Sequence, residues 1–173
     1  MEGGEDYVPR KRTALERIAE PIVASRAGSW WYVHVAPRLD RPLLRATRGR
    51  LSSVGFGRIG LLRVRGAKTG ALRETPLVYA RDGERLILVA SRGGSSRDPQ
   101  WYRNLVANPE VTFAAGGEER RYRARTTEGA ERERAWRLAC DRYAGYLVYG
   151  RRAGERQIPL VVLEPAASAE RKG

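Results

Sequence analysis

From Ile59 onward the chain alternates short aliphatic runs with glycine-containing turns, a pattern that few folds can accommodate. Ile59 to Arg65, Arg73 to Ala80 and Arg85 to Ser91 are rich in Leu, Val and Ile, the side chains that suit a pleated, buried surface. Gly66-Ala67-Lys68-Thr69-Gly70 joins the first two, and Asp82-Gly83, a strong hairpin signal, joins the second and third. Glu110 to Ala115 and Arg120 to Thr126 form another pair across Gly116-Gly117, and Ile158 to Glu164 is an almost wholly apolar strand that Pro165 ends. Six strands connected mostly by hairpins predict an α+β fold, an antiparallel barrel or half-barrel with helices packed outside it.

The helical segments are shorter. Asp98 is a good N-cap ahead of an N1 proline for a helix from Pro99 to Ala107, and Thr127 is expected to cap a helix running toward Tyr143. Near the N-terminus, Leu15, Ile18, Ala19, Ile22 and Val23 recur at helical spacing, with Pro21 set to kink them. After the aromatic cluster Trp30-Trp31-Tyr32, a second stretch from Leu39 to Thr47 carries Leu43 and Leu44 among Arg41, Arg45 and Arg48. Both elements either pack on the domain or lie on an anionic membrane surface. The chain therefore divides into an N-terminal tail and amphipathic segment (1–50), a barrel (51–165) and a C-terminal tail (166–173), with residues 1–9 and the C-terminal tail expected to be disordered.

Composition narrows the chemistry. One cysteine, Cys140, and one histidine, His34, leave internal disulfides, metal clusters and a Ser-His-Asp triad poorly supported among 173 residues. Both are read as structural, Cys140 as a small buried residue. The net charge of +13 predicts attraction to an anion. Nine basic residues and no acidic one fall between Arg41 and Arg73. Nucleic acid is disfavoured, because no recognition-helix motif accompanies the basic run. The acidic start lacks the basic and apolar stretches of a secretory leader, and no run is long and apolar enough for a membrane span, so a cytoplasmic location is expected.

Three constellations carry chemistry. With only three lysines in the chain, Lys68 in a glycine-bracketed turn stands out. Gly66 and Gly70 can turn backbone N–H groups toward a phosphate, while Lys68 and Thr69 add a charge and a donor. The loop that begins at Ser91, with Arg92, Gly93, Gly94 and Arg97, leads into Trp101 at a helix N-terminus, a wall suited to a planar ligand with an anionic tail. Tyr143, Tyr146 and Tyr149 recur every three residues, so that on one helical turn their hydroxyls would share a face, either to act on a substrate or to pack on the barrel. Gly55-Phe56-Gly57-Arg58-Ile59-Gly60 matches a dinucleotide fingerprint in letters, but a strand rather than a helix follows it.

Together, RVRGAKTGALRETPLVY, ILVASRGGSSRDPQWYRNLVANPEV and YAGYLVYGRRAGERQIPLVVLEP resemble the deazaflavin-dependent nitroreductase family over roughly Leu51 to Pro165. The resemblance implies a split β-barrel of the FMN-binding type and an oxidoreductase that uses the deazaflavin coenzyme F420. It implies that Ala67, Lys68, Thr69 and Gly70, with Arg73 nearby, hold the coenzyme phosphate. Pro76, Ser91, Arg92, Gln100, Trp101 and Asn104 would line the ring and its tail. Tyr143, Tyr146 and Tyr149 would stand over the ring at the acceptor pocket, and Ser91 would hydrogen-bond an acceptor oxygen. Val78 departs from the aromatic residue that some members carry there, which bears on pocket shape. The expected activity is hydride transfer to a quinone, nitroaromatic or activated alkene, with proton delivery by a tyrosine or water and no metal. Contact of the N-terminal helices with the inner face of the cell membrane would suit a lipid quinone. Two alternatives stay open: a split barrel using FMN, and a non-catalytic protein that binds the deazaflavin coenzyme.

Overall fold

The computed structural model describes residues 36–51 and 59–166, together with Ser25 and Gly28. The expected helix around Leu15–Val23, the Trp30-Trp31-Tyr32 cluster, His34, most of the glycine fingerprint and residues 167–173 lie outside the described residues. Helix α1 spans Ala36–Ala46. Strands β1 (Ile59–Arg65), β2 (Leu72–Asp82) and β3 (Arg85–Val89) follow, then helix α2 (Gln100–Ala107) and strands β4 (Glu110–Ala115) and β5 (Glu118–Thr126). Helices α3 (Gly129–Arg142) and α4 (Gly145–Arg152) precede β6 (Leu160–Pro165). The strands close an antiparallel barrel in the order β1-β2-β3-β6-β5-β4, with β4 returning to β1.

Alternation along each strand decides which layer a side chain enters. Leu62 and Val64 of β1, Leu86 and Leu88 of β3, and Val161 and Leu163 of β6 point inward, where they meet Phe113, Tyr79 and Tyr122. Their neighbours point outward into two further apolar layers. Ile59 and Leu61 pack with Leu44 of α1. Ile87, Val89, Leu160 and Val162 pack with Ala135, Ala139, Cys140, Tyr146 and Tyr149 of α3 and α4. Strands covered on both faces read as continuous apolar runs, and that is how β1, β3 and β6 read in sequence. Strand β5 has no outer cover among the described residues and alternates instead, with Tyr122 and Ala124 buried and Arg121, Arg123 and Arg125 exposed.

Trp101 and Leu105 of α2 enter the interior cluster and plug the barrel at the end where β1 finishes and β2 begins. The segment after α1 docks on the β4–β5 hairpin, since Gly116 and Gly117 donate backbone N–H bonds to Gly49 O and Arg48 O at 3.1 and 3.0 Å.

Several local expectations change. The N-cap of α2 is Pro99, not Asp98, because the Asp98 carboxylate is engaged 2.7 Å from Arg156 Nη1. Glu128 rather than Thr127 opens α3. The Thr127 hydroxyl is drawn inward and donates to Leu160 O at 3.2 Å, tying the end of β5 to β6. Strand β3 ends at Val89, two residues before Ser91, and β6 begins at Leu160 rather than Ile158. Ala166 still donates to Arg121 O at 3.0 Å, so the sheet holds the first residue of the expected C-terminal tail.

An ion network fastens α3 to the barrel. Asp82 accepts from Arg134 at 2.6 Å and from Arg85 at 2.8 Å. Glu131 accepts from Arg125 at 2.6 Å and from Arg85 at 3.2 Å, and Arg125 also reaches Glu164 at 2.8 Å. The hydrogen bond from Arg134 holds the Asp82 carboxyl below its usual range, and that from Arg125 does the same for Glu131. A carboxyl whose folded pKa is depressed contributes stability that is present above its unfolded pKa and lost as pH falls through the folded one. The melting temperature should therefore fall between about pH 5 and about pH 3. The variant Asp82→Asn should show a shallower fall, and superimposable wild-type and variant profiles would assign the acid sensitivity elsewhere.

Candidate functional site

The sheet comes apart at one place. Strand β2 pairs with β1 along Leu72–Val78, but its pairing with β3 begins only at Tyr79, opposite Leu88. Continued at the same register, that pairing would put Ser91 opposite Pro76. Instead the chain leaves β2 after Val89, and Ala90 donates to Pro159 O at 2.9 Å on the β6 side. Pro76 suits such an edge, since it has no N–H to offer a second neighbour. The outcome is a split between the free edge of β2 and the segment Ala90–Pro99, at the barrel end that α2 plugs.

The turn at the head of β2 borders this split. Gly66 donates to Ala71 O at 2.9 Å and Gly70 to Gly66 O at 2.8 Å. Gly70 takes a left-handed φ of 66°, whereas Gly66 does not, so only one of the two expected glycines uses its conformational freedom. Ala67 N–H donates to Asn104 Oδ1 at 3.2 Å, and Ala71 N–H lies 3.4 Å from Thr69 Oγ1. That leaves the Lys68 and Thr69 amides and the Lys68 ammonium without a partner among the described residues, all in an exposed turn. Arg73 stands beside it, with its Nε 3.8 Å from where a Cβ on Gly66 would sit. Two amides without a partner among the described residues and a cation on one turn are suited to an anion.

Across the split, Ser91 opens a short 3-10 turn, Arg92–Gly94. Its carbonyl accepts from Gly94 N–H at 3.0 Å, while its hydroxyl has no partner among the described residues. Arg92, Gly93 and Gly94 adopt φ of 48°, 66° and 82°, three successive left-handed residues. Gly94 is required by close approach, because a Cβ there would sit 2.8 Å from both Tyr149 O and Arg152 Cβ. The loop thus lies directly against α4.

The tyrosines converge, though not along one helix. Tyr143 terminates α3 in an extended conformation, and Tyr146 and Tyr149 belong to α4. Ring centroids are 5.2, 5.9 and 6.2 Å apart, and the Tyr143 and Tyr149 hydroxyls lie 3.2 Å apart. Tyr146 and Tyr149 are buried over β3 and β6, which leaves half-buried Tyr143 as the most accessible of the three.

The residues expected on α2 have partly structural duties. Trp101 is 8% exposed and lies in the interior cluster. Asn104 is buried, and its Oδ1 accepts from Gln100 Nε2 at 3.0 Å as well as from Ala67. Gln100 Oε1 in turn accepts from Arg103 at 2.8 Å. Asn104 is therefore a brace between α2 and the lysine turn. Sequence reasoning missed Asn108, whose Nδ2 donates to Arg65 O at 3.2 Å, and Arg152 and Arg156, which bond the loop across the split. No sequence signal separates those two arginines from the other basic residues. Among the described residues no cluster of His, Cys, Asp or Glu could hold a metal ion.

Known proteins resemble this chain over most of its length. The family model for F420H(2)-dependent quinone reductase matches residues 38–165. An F420H(2)-dependent quinone reductase of Mycobacterium tuberculosis is 36% identical over 141 residues, covering 78% of this chain and 95% of its own. A protein of the same organism that is named a putative F420H(2)-dependent quinone reductase is 38% identical over 105 residues, covering 61% of this chain and 87% of its own. Among solved structures, an F420-H2 dependent reductase superposes with a TM-score of 0.58 at 37% identity, covering 61% of this chain and 93% of that one.

The lysine turn generates a direct test. Lys68→Ala should remove a charge-assisted contact to a bound phosphate and weaken coenzyme affinity by about 10- to 100-fold. An unchanged fluorescence titration would remove the turn from the site.

Proposed function

The chain belongs to the F420H(2)-dependent quinone reductase family, and we propose that it transfers a hydride from reduced deazaflavin coenzyme to a quinone, nitroaromatic or activated alkene held at the split in the barrel. What supports this reading is that a lysine turn suited to an anion, a Ser91 hydroxyl with no partner among the described residues and a tyrosine pair packed against the Ser91 loop all border one opening in the sheet. A bound deazaflavin supplies the hydride; no protein nucleophile is needed.

The chain's own work is binding, orientation and proton supply. Ala67, Lys68, Thr69 and Gly70, with Arg73, would hold the phosphate. Pro76 and Val78, on the outward face of β2, and Ser91 and Arg92 across the split would flank the ring, with Gln100 and Asn104 keeping the lysine turn in register. Trp101 would contribute only the edge that the interior leaves uncovered. Val78 gives this wall a smaller side chain than an aromatic residue would, leaving room for a broader acceptor. Ser91 Oγ can donate to an acceptor oxygen. Tyr143 is the member of the tyrosine group best placed to deliver a proton, with the Tyr149 hydroxyl able to donate to it in turn.

A cytoplasmic location is part of the same proposal. Among the described residues, no helix is long and apolar enough to cross a membrane. Exposed Arg41, Arg45, Arg48 and Arg50 support a further element of the proposal, contact of the segment 1–50 with anionic lipid at the inner face of the membrane, where a lipid quinone would be presented.

The deciding experiment is a fluorescence titration of the protein with oxidised coenzyme F420, run beside FMN, followed by oxidation of the reduced coenzyme with soluble quinone and nitroaromatic acceptors. Saturation by the deazaflavin at micromolar concentration or below, with turnover, is expected. Preference for FMN would replace the cofactor, and tight binding without turnover would make this a coenzyme-sequestering protein. Tyr143→Phe should lower kcat by about 100-fold or more if its hydroxyl supplies the proton, with coenzyme affinity little changed. Tyr146→Phe should act far less, and equal turnover in wild type and Tyr143→Phe would assign the proton to water.

A further inference from the structure

Arg156 lies in the connection between α4 and β6, where its own N–H bonds Ala153 O at 3.3 Å. Its side chain is only 14% exposed and turns back onto the Ala90–Pro99 loop. Nε donates to Ser95 O at 2.8 Å, Nη1 to Asp98 Oδ1 at 2.7 Å and to Ala90 O at 3.3 Å, and Nη2 to Ser91 O at 3.0 Å. Four of the five guanidinium N–H bonds are thus spent on one loop, two near its start and two near its end. Only Asp98 among these partners is charged, so the guanidinium chiefly organises backbone carbonyls, a task that uses its planar fork as much as its charge.

The loop needs such a clamp. A non-glycine residue at φ 48°, Arg92, is sparsely tolerated and persists only where its surroundings over-determine it. Arg152, the last residue of α4, supplies a second tie by donating to Gly93 O at 3.1 Å, while its guanidinium carbon lies 5.8 Å from the Tyr149 ring centroid. The loop runs on into α2, whose Asn104 accepts from the Ala67 amide of the lysine turn. A continuous line of contacts therefore joins Arg156 to both walls of the split.

We infer that Arg156 is a positioning residue, which sets the Ala90–Pro99 loop in its coenzyme-receiving conformation without itself touching coenzyme or acceptor. The inference rests on the functional reading above for its effect on binding, but its effect on the loop can be read without any ligand.

The test compares the full chain with Arg156→Ala and Arg156→Lys. With no ligand present, amide hydrogen exchange over residues 91–98 should quicken in both variants while exchange in β4 and β5 stays as in the wild type. Coenzyme affinity should fall by about tenfold or more, and guanidinium ion well below denaturing concentration should restore affinity to Arg156→Ala. Lysine keeps the charge near Asp98 but not the fork. If the alanine variant loosens the whole barrel, Arg156→Lys decides by retaining the wild-type melting temperature with a weakened coenzyme titration. Wild-type loop exchange in both variants, or wild-type coenzyme affinity in Arg156→Lys, would overturn the inference. A wild-type chain that binds no deazaflavin would instead overturn the functional reading, leaving the loop exchange to judge Arg156.

Discussion

Strands β1, β3 and β6 are apolar on both faces, and the rest of the architecture follows from the need to cover both. One face closes inward around Phe113, Tyr79 and Tyr122. The other recruits α1 on one side and α3 with α4 on the other. Burying a large aliphatic side chain contributes about 1.5–3 kcal/mol, so leaving either face of three such strands in water would forfeit several such contributions, which the shielding helices recover. Helix α4 brings Tyr146 and Tyr149 to the outer face of β3 and β6 for this reason, and the tyrosine cluster beside the split is a consequence of outer-layer packing.

The split has its own cause. Pro76 cannot donate to a neighbouring strand, and the chain after Val89 finds its partners on the β6 side, in Pro159 O and in the Arg156 side chain. Backbone polar groups must be paired wherever they are buried, and here an arginine side chain does what a strand edge would otherwise do. The barrel closes through β1 and β4 while staying open between β2 and the loop, which gives a rigid rim with a gap.

Charge is distributed unevenly around that rim. Asp82, Glu131 and Glu164 neutralise the arginines that hold α3. Lys68, Arg73, Arg92 and Arg97, near the split, have no carboxylate within ion-pair distance among the described residues. Unpaired cations gathered near an opening raise the local concentration of anions, so the net charge of the chain takes effect where the coenzyme would enter.

Much of this was legible in one dimension. The apolar runs, the Asp82-Gly83 turn and the glycine-bracketed Lys68 dictate their own local conformations, because strand burial, hairpin angles and turn chemistry depend on neighbours within a few residues; the six strands, the antiparallel barrel and the exposed anion turn could be read from them. What the chain does with its polar side chains could not. Asp98 and Thr127 sit where caps belong, yet Asp98 pairs with Arg156, fifty-eight residues away, and Thr127 reaches Leu160. The spacing of the tyrosines puts them on one face of a single helix, but the helix ends at Arg142 and they meet through space. Arg156 is one basic residue among 33 in the sequence. Only the folded chain, by bringing β6 beside the end of β3, puts its guanidinium within reach of four oxygens, because hydrogen bonds between distant residues depend on tertiary distances that no local pattern encodes.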